Sequence, residues 1–377
     1  MDIIFRKKKS GSMADTSGFG YEMAGQVREY HRTLQQYKPT PLVNLKLTAE
    51  KFGIKDFYIK DESKRFGLNA FKGLGGSYAM GKILSKNAGQ HTFVTATDGN
   101  HGRGVAWAAR QLGQKAVVYM PKGSSKERLL NIQTEGARAS ITELNYDDTV
   151  RLARQMAEQE GWILIQDTSW EGYTEIPADI MRGYTTMALE ALEQLDGVKP
   201  THIFIQAGVG SLAGAIQGFF SDVYGENAPV VVVVESEKAS CLFDTAKADD
   251  GEIHIVTGNM NTIMAGLACG EPCTEGWKIL KEHADVFVKV EDWVAAEGMR
   301  ILGNPAGEDK AVISGESGAA GFGTAVEILR NKNFASWKEK LGLDENSIVL
   351  CFSTEGDTDR ENYRKIVWDG SWPRPED

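Results

Sequence analysis

The sequence predicts an α/β protein built on parallel-rich twisted sheets flanked by helices, and three observations carry that expectation. Short apolar segments alternate with helix-period segments along the middle of the chain, the alternation that yields parallel strands covered by helices. The run APVVVVVE (228–235) reads as a strand buried on both faces. Glycine-rich turns follow two of the strand candidates, in TDGNHGRG (97–104) and QAGVGSLAG (206–214).

The elements follow in order. MDIIFRKKKSGSMADTSG places a basic patch after a short apolar stretch, the reverse of a signal peptide's order, so residues 1–18 read as a solvated tail with Met13 as a second plausible start. HTFVTA (91–96) reads as a strand, and Val105, Ala108, Ala109 and Leu112 then line one side of a helix that stops at Gly113. KAVVYMP (115–121) is the next strand, and SSKERLLNIQTEG (124–136) opens on serine caps and closes on glycine. ASITEL, DDTVRLARQMAEQEG and WILIQD repeat the scheme over 139–167. THIFIQA, GVGSLAGAIQGFFSDVYG and APVVVVVE form a second, clearer unit of strand, glycine turn with helix, and strand. No internal repeat or low-complexity linker divides the chain, and soft domain boundaries fall near 75 and 185.

With 377 residues, 42% hydrophobic and 25% charged, the chain is long enough for two or more domains. A net charge of -10 with dispersed basic residues argues against a nucleic-acid surface. No apolar run approaches the roughly 18–20 residues that span a bilayer. Four cysteines, Cys241, Cys269, Cys273 and Cys351, fit a reducing cytoplasm. Cys269 and Cys273 lack a second ligand pair at zinc-finger spacing, so no metal is expected, while a disulfide such as Cys241 with Cys269 stays open.

Three features point to chemistry. Gly208 and Gly210 follow a strand and Gly214 lies in the next helix, so backbone N–H groups at that helix start can face an anion. A phosphate cradle, a dinucleotide turn with Glu235 as the ribose-binding acid, and a bare glycine turn all satisfy this pattern. In TDGNHG, Asp98 and Asn100 meet a helix N-terminus, either as caps or as functional groups. NAFKGLGGSYA (69–79) sets Lys72 between an apolar run and a glycine cluster.

Taken in order, NAFKGLGGSYA, TDGNHGRGVA, QAGVGSLAG, ESGAAGFG and CFSTEGD resemble the fold type II pyridoxal-phosphate enzymes, the superfamily of tryptophan synthase β and the serine and threonine dehydratases. The resemblance runs from about residue 38 to the end. Asp98 before Gly99 and Asn100, together with WEGYTEIP and MAGLACGEPC, is most similar to the diaminopropionate ammonia-lyases. One departure is a shorter segment around LSKNAGQ, within 83–92, which puts in doubt the edge of the smaller domain and any subunit contact there.

The resemblance implies a large domain of residues 1–75 and 186–377 that binds pyridoxal 5'-phosphate, and a small domain of 76–185 carrying the TDGNHG loop. It implies a Schiff base at Lys72, a phosphate cradle of Gly208, Val209, Gly210, Ser211 and Leu212, and Asn100 against the cofactor's phenolic oxygen. Ser353 is expected at the pyridine nitrogen, with Thr354 as the alternative, and Glu316 near the ring. Gly75, Gly76, Ser77, Gly99 and His101 are expected around the substrate carboxylate. Asp98 is expected to attract the substrate's second amine and to serve as base for the D isomer, with Lys72 serving for the L isomer. Asp167 is expected as a second catalytic carboxylate, though a plain strand-end acid satisfies the pattern equally. To attack an aldehyde, Lys72 must be neutral part of the time, which burial favours, and Phe71 and Leu74 are the expected walls. The implied reaction is α,β-elimination of D- and L-2,3-diaminopropionate to pyruvate and two ammonia, in a cytoplasmic homodimer. A serine or threonine dehydratase, a nicotinamide-dependent oxidoreductase and a non-catalytic relative are the alternatives.

Overall fold

The structure, a computed structural model, describes residues 1–6, 14–97 and 99–375, so that Met13 and Asp98 lie outside the described residues. In chain order the first elements are β1 (Asp2–Phe5), α1 (Tyr21–Arg32), β2 (Leu42–Asn44), α2 (Lys46–Phe52), β3 (Asp56–Asp61) and α3 (Gly73–Lys86). There follow β4 (Thr92–Ala96), α4 (Asn100–Gln111), β5 (Lys115–Met120), α5 (Lys126–Thr134), β6 (Arg138–Ile141), α6 (Tyr146–Glu160) and β7 (Ile163–Leu164). Next come α7 (Glu175–Gln194), β8 (His202–Gln206), α8 (Ser211–Tyr224), β9 (Val230–Ser236), α9 (Cys241–Ala248) and α10 (Thr274–His283). The chain ends with β10 (Val286–Val290), α11 (Asp292–Gly303), α12 (Glu316–Arg330), α13 (Ala335–Leu341), β11 (Ile348–Ser353) and α14 (Arg360–Val367).

Two sheets organise these elements. The larger has the order β1-β10-β9-β8-β11-β3-β2, with its inner strands parallel and β1 and β2 antiparallel at the edges. The smaller, β6-β5-β4-β7, is parallel throughout. Strand β9 is buried beyond its first residue because helices cover both faces of the large sheet. Local chemistry sets the helix ends. Asn145 Oδ1 accepts from Asp148 N–H at 2.8 Å to cap α6, whose other end stops on Gly161 in the left-handed region at φ 66°.

The start of the chain departs from its expected tail. Residues 2–5 form an edge strand in which Ile3 pairs with Val288, and Arg6 N–H donates to Asp285 O at 2.9 Å. Met1, Ile3 and Phe5 pack on the apolar layer beneath β10, so the short apolar stretch finds an open sheet edge instead of solvent.

The boundaries expected at 75 and 185 fall inside α3 and α7, which pack against each other across glycines. A Cβ at Gly183 would lie 2.6 Å from Leu74 O, and one at Gly104 on α4 would lie 2.8 Å from Gly73 N and Lys72 C. These contacts press α4 and α7 onto the backbone around Lys72. The carboxyl ends of β4, β8 and β11, and the residues after β7, meet beside that point, the place where open α/β sheets collect ligands.

Gly104→Ala tests this packing. The added methyl group meets backbone that cannot yield, so the folded state should lose about 1–3 kcal/mol, measured by urea unfolding; a parent-like midpoint would show that α3 and α4 separate freely.

Candidate active site

The site is assembled around Lys72. Residues 69–71 bridge antiparallel to the segment after β11, with Phe71 N–H donating to Thr354 O at 3.1 Å and Gly356 N–H to Asn69 O at 3.0 Å. This bridge delivers Lys72 to the start of α3, where its amine contacts Asp167 Oδ2 and lies 5.1 Å from the Phe71 ring centroid and 5.7 Å from that of Tyr184. Phe71 and Tyr184 are thus the apolar walls, whereas Leu74 is buried in the core and its carbonyl accepts from His31 Nε2–H at 2.9 Å.

Burial pulls the Lys72 amine down, as expected from its surroundings. The Asp167 carboxylate more than offsets that pull and holds the amine above its ordinary range. Burial is therefore not the sole influence on this amine, because an ion pair occupies the same pocket. For Asp167, burial favours the protonated form, yet His101 and Lys72 outweigh it and hold the carboxyl at about 2. Ser211 Oγ donates to Asp167 O at 2.6 Å, which ties this acid to the first turn of α8. His101 donates Nε2–H to Ile165 O at 2.9 Å, and its buried Nδ1 faces Asp167 Oδ2 at 3.7 Å with no hydrogen bond among the described residues. Burial lowers the imidazole's pKa.

Opposite the lysine, Gly208, Val209, Gly210, Ser211 and Leu212 all line the cavity. Gly210 adopts φ 96°, open to glycine at no steric cost, and turns the chain from β8 into α8. A Cβ at Gly208 would crowd Gly266 O at 3.2 Å and Cys269 Sγ at 3.3 Å. Backbone N–H groups and the dipole of the 14-residue helix α8 converge here, an arrangement suited to an anion. Gly214 lies on the far side of the helix, where a Cβ would meet Gly276 Cα at 2.9 Å.

Asn100 lines the cavity and donates its side-chain amide to Glu355 Oε2. Thr354 and Glu355 stand on the cavity wall, while Ser353 is buried behind it and donates Oγ–H to Ser314 Oγ at 2.8 Å. Of the two hydroxyl residues expected here, Thr354 is thus the one on the cavity wall. Glu316 is buried next to this wall and accepts from the Asn362 amide; burial first, then the Glu355 charge, raises its pKa to about 7.

Several expected residues stand elsewhere. Gly75, Gly76 and Ser77 lie inside α3 and face helices: a Cβ at Gly75 would lie 2.6 Å from Tyr184 Cε1, one at Gly76 would touch Gly104, and Ser77 Oγ donates to Leu74 O at 3.2 Å. They serve packing, and of the five residues expected around the substrate carboxylate His101 lines the cavity. Gly99 borders a smaller depression with Arg103, Arg128 and Asn131. Glu235 accepts Leu242 N–H at 2.9 Å and Phe243 N–H at 2.6 Å, capping α9 from a fully buried position, so it is no ribose acceptor. Among the described residues no disulfide joins Cys241, Cys269, Cys273 or Cys351, and Cys269 stands on the cavity wall.

Sequence reasoning passed over Gln206, Tyr146, Ser317 and Glu355, which also line the cavity. Glu355 was in view within CFSTEGD, and Gln206 ends the strand before the glycine turn. A second cavity, bordered by Asp147, Arg151, Arg154 and Trp170, adjoins the first through Tyr146, Val209 and Cys269.

Residues 33–341 match the family model described as pyridoxal-phosphate dependent enzyme. The chain is 50% identical to the diaminopropionate ammonia-lyase of Salmonella typhimurium over 97% of its own length and 96% of that protein's. It is 50% identical to the Escherichia coli diaminopropionate ammonia-lyase, over 93% of each. The crystal structure of the Escherichia coli diaminopropionate ammonia lyase in complex with an aminoacrylate-PLP azomethine reaction intermediate superposes with a TM-score of 0.93 at 48% identity, covering 98% of this chain and 97% of that one. A threonine deaminase isoform from Solanum lycopersicum shares the fold at a TM-score of 0.75 and 20% identity, over 97% of this chain and 91% of its own.

The Lys72–Asp167 pair makes a prediction about pH. In Asp167→Asn, burial acts on the amine without the opposing carboxylate, so Lys72 should lose its proton at lower pH. After hydroxylamine strips any bound carbonyl compound, labelling of Lys72 by an amine-selective acylating reagent, followed by peptide mass mapping, should reach half its maximal rate at lower pH than in the parent. An unchanged midpoint would mean that Asp167 does not govern the amine.

Proposed function

The chain belongs to the pyridoxal-phosphate dependent enzyme family, and on that premise we propose that it is a carbon–nitrogen lyase converting D- and L-2,3-diaminopropionate to pyruvate and two ammonia. The single observation that carries this reading is one cavity that brings the Lys72 amine, paired with Asp167, together with the anion cradle of Gly208–Leu212. Half identity to diaminopropionate ammonia-lyases across nearly the whole chain supports the substrate.

The residues present fit pyridoxal 5'-phosphate. The cradle carries no side chain at Gly208 and Gly210, its N–H groups open at the start of α8, and the amine stands between two aromatic rings. When bound, the cofactor supplies an electron sink for the pair left at Cα when its proton departs. The N–H groups of Gly208–Leu212 would bind the phosphate. The Asn100 side-chain amide would hold the phenolic oxygen. Thr354 Oγ1 accepts from Gln206 Nε2 at 2.8 Å, and its hydroxyl hydrogen would be the donor to the ring nitrogen. A hydroxyl there does not hold that nitrogen protonated as a carboxylate would, which favours loss of a β substituent over transamination.

Lys72 takes the Cα proton of the L isomer, and Asp167 sets the charge of that amine. Asp98, outside the described residues, is the base for the D isomer and draws in the substrate's second amine. The backbone N–H groups of Asn100 and His101, at the start of α4 on the cavity wall, hold the substrate carboxylate. As Cα–H and Cβ–N break, the β nitrogen leaves as ammonia, and water completes the hydrolysis to pyruvate and the second ammonia. Phe71 and Tyr184 keep solvent from the amine.

The same reading makes the protein a cytoplasmic homodimer, supported by cysteines that form no disulfide among the described residues and by the prevalence of twofold symmetry among such enzymes. Among the described residues no helix is long and apolar enough to cross a membrane. It also divides the chain into a cofactor domain of 1–75 and 186–377 and a smaller domain of 76–185, with the small sheet inside the latter.

Borohydride reduction of the purified protein should fix a cofactor label on Lys72, located by peptide mass mapping, and Lys72→Ala should abolish pyruvate release from either isomer. Asp98→Asn should lower D-isomer turnover by about a hundredfold and L-isomer turnover far less. A label on another lysine, or equal loss of both isomers, would refute the respective assignment.

A further inference from the structure

Glu355 is a buried carboxylate on the cavity wall with no part in the reaction as described so far. Its backbone belongs to the bridge that leads into Lys72, paired with Ala70. Its side chain points to other elements: Oε1 accepts Ser317 N–H from α12 at 3.1 Å, and Oε2 accepts the Asn100 amide from α4. Glycines make room for it. A Cβ at Gly315 would lie 2.9 Å from Glu355 Cγ, and one at Gly318 would lie 3.0 Å from its carbonyl oxygen. One residue thus ties the segment carrying Lys72, through its backbone, to the amide at the start of α4, through its carboxylate.

The chemistry of the pair gives that tie a direction. A carboxylate accepts hydrogen bonds and does not donate them, so it fixes Asn100 with Nδ2 toward Glu355. One N–H is used there, and the second remains a donor beside the cavity. An amide in place of Glu355 would receive Nδ2 or donate to Oδ1 equally well, and Asn100 could turn over.

We propose that Glu355 is a positioning residue that holds the Asn100 amide as a donor next to Lys72, so that the group bound at Lys72 meets an N–H and not an oxygen. This rests on the pyridoxal-phosphate reading above. A donor at the phenolic oxygen stabilises its ionised form, so the loss of that donor moves the pH at which the bound cofactor's visible absorption titrates.

The test is that titration on the holoenzyme, for the parent, Glu355→Gln, Asn100→Ala and the double variant, with borohydride labelling of Lys72 as the control. Glu355→Gln should keep the label on Lys72, move the midpoint by about one pH unit and lower kcat by about tenfold. Asn100→Ala should give a similar shift, and adding Glu355→Gln to it should move the midpoint no further. An unmoved midpoint in Glu355→Gln, or a shift that persists in the Asn100→Ala background, overturns the proposal. Should Glu355→Gln not accumulate as folded protein, Glu355→Asp, which withdraws the carboxylate by one methylene, is judged by the same two criteria. A parent enzyme labelled on no lysine, or on a different one, removes the cofactor reading and this proposal with it, and the label alone identifies that failure.

Discussion

The contact between the Lys72 amine and the Asp167 carboxylate is the constraint around which the rest of the site is arranged. Two opposite charges in a pocket walled by Phe71 and Tyr184 are costly to bury apart and tolerable together. Each sets the other's protonation: the carboxylate raises the amine, and the amine, with His101, lowers the carboxyl. An amine held charged in this way is a poor nucleophile until its partner is displaced or screened. The pair therefore makes the state of the lysine depend on what else enters the cavity.

Holding that pair in place requires elements from distant parts of the sequence. Asp167 follows a strand of the small sheet, and its backbone carbonyl is gripped by Ser211 at the start of α8, next to the large sheet. Lys72 arrives through the bridge of residues 69–71 with the segment after β11. Gly104 and Gly183 let α4 and α7 close on the backbone just after the lysine, without side chains between. The two sheets are thus joined through the site itself, and small displacements of either alter the distance between amine and carboxylate.

Much of this was legible in the sequence. The alternation of strands and helices, the buried run of valines and the serine cap of α5, where Ser125 Oγ accepts Arg128 N–H at 3.2 Å, follow from local chemistry, and the structure places them as read. Two of the failures share a different cause, since they concern which face a residue turns to. On β11, Leu350 and Phe352 pack in the apolar layer beside the cavity, whereas Val349 and Cys351 pack in the layer on the other face. Alternation then sends Ser353 away from the cavity and Thr354 toward it, a distinction of one residue that the motif CFSTEGD cannot reveal. Similarly, glycines at 75 and 76 signal close approach, but the approaching groups are α7 and α4 and not a ligand. The edge strand β1 was missed because its partner, β10, lies some 280 residues away and has no local trace.

Glu235 shows why a strand, a glycine turn and a later acid do not by themselves define a nucleotide site. A ribose-binding carboxylate must present free oxygens at the carboxyl edge of the sheet. Here both oxygens are engaged by the first backbone N–H groups of α9, from a residue with no solvent exposure. Burial raises this carboxyl's pKa to about 8, against the pull of those N–H donors. Turning the side chain toward a ligand would leave two helix N–H groups without a partner, a cost that a ribose on the other side could not offset for both. The acid near the end of β9 caps the start of α9, and the anion-binding capacity of the large sheet is left to the turn after β8, which lines the same cavity as Lys72.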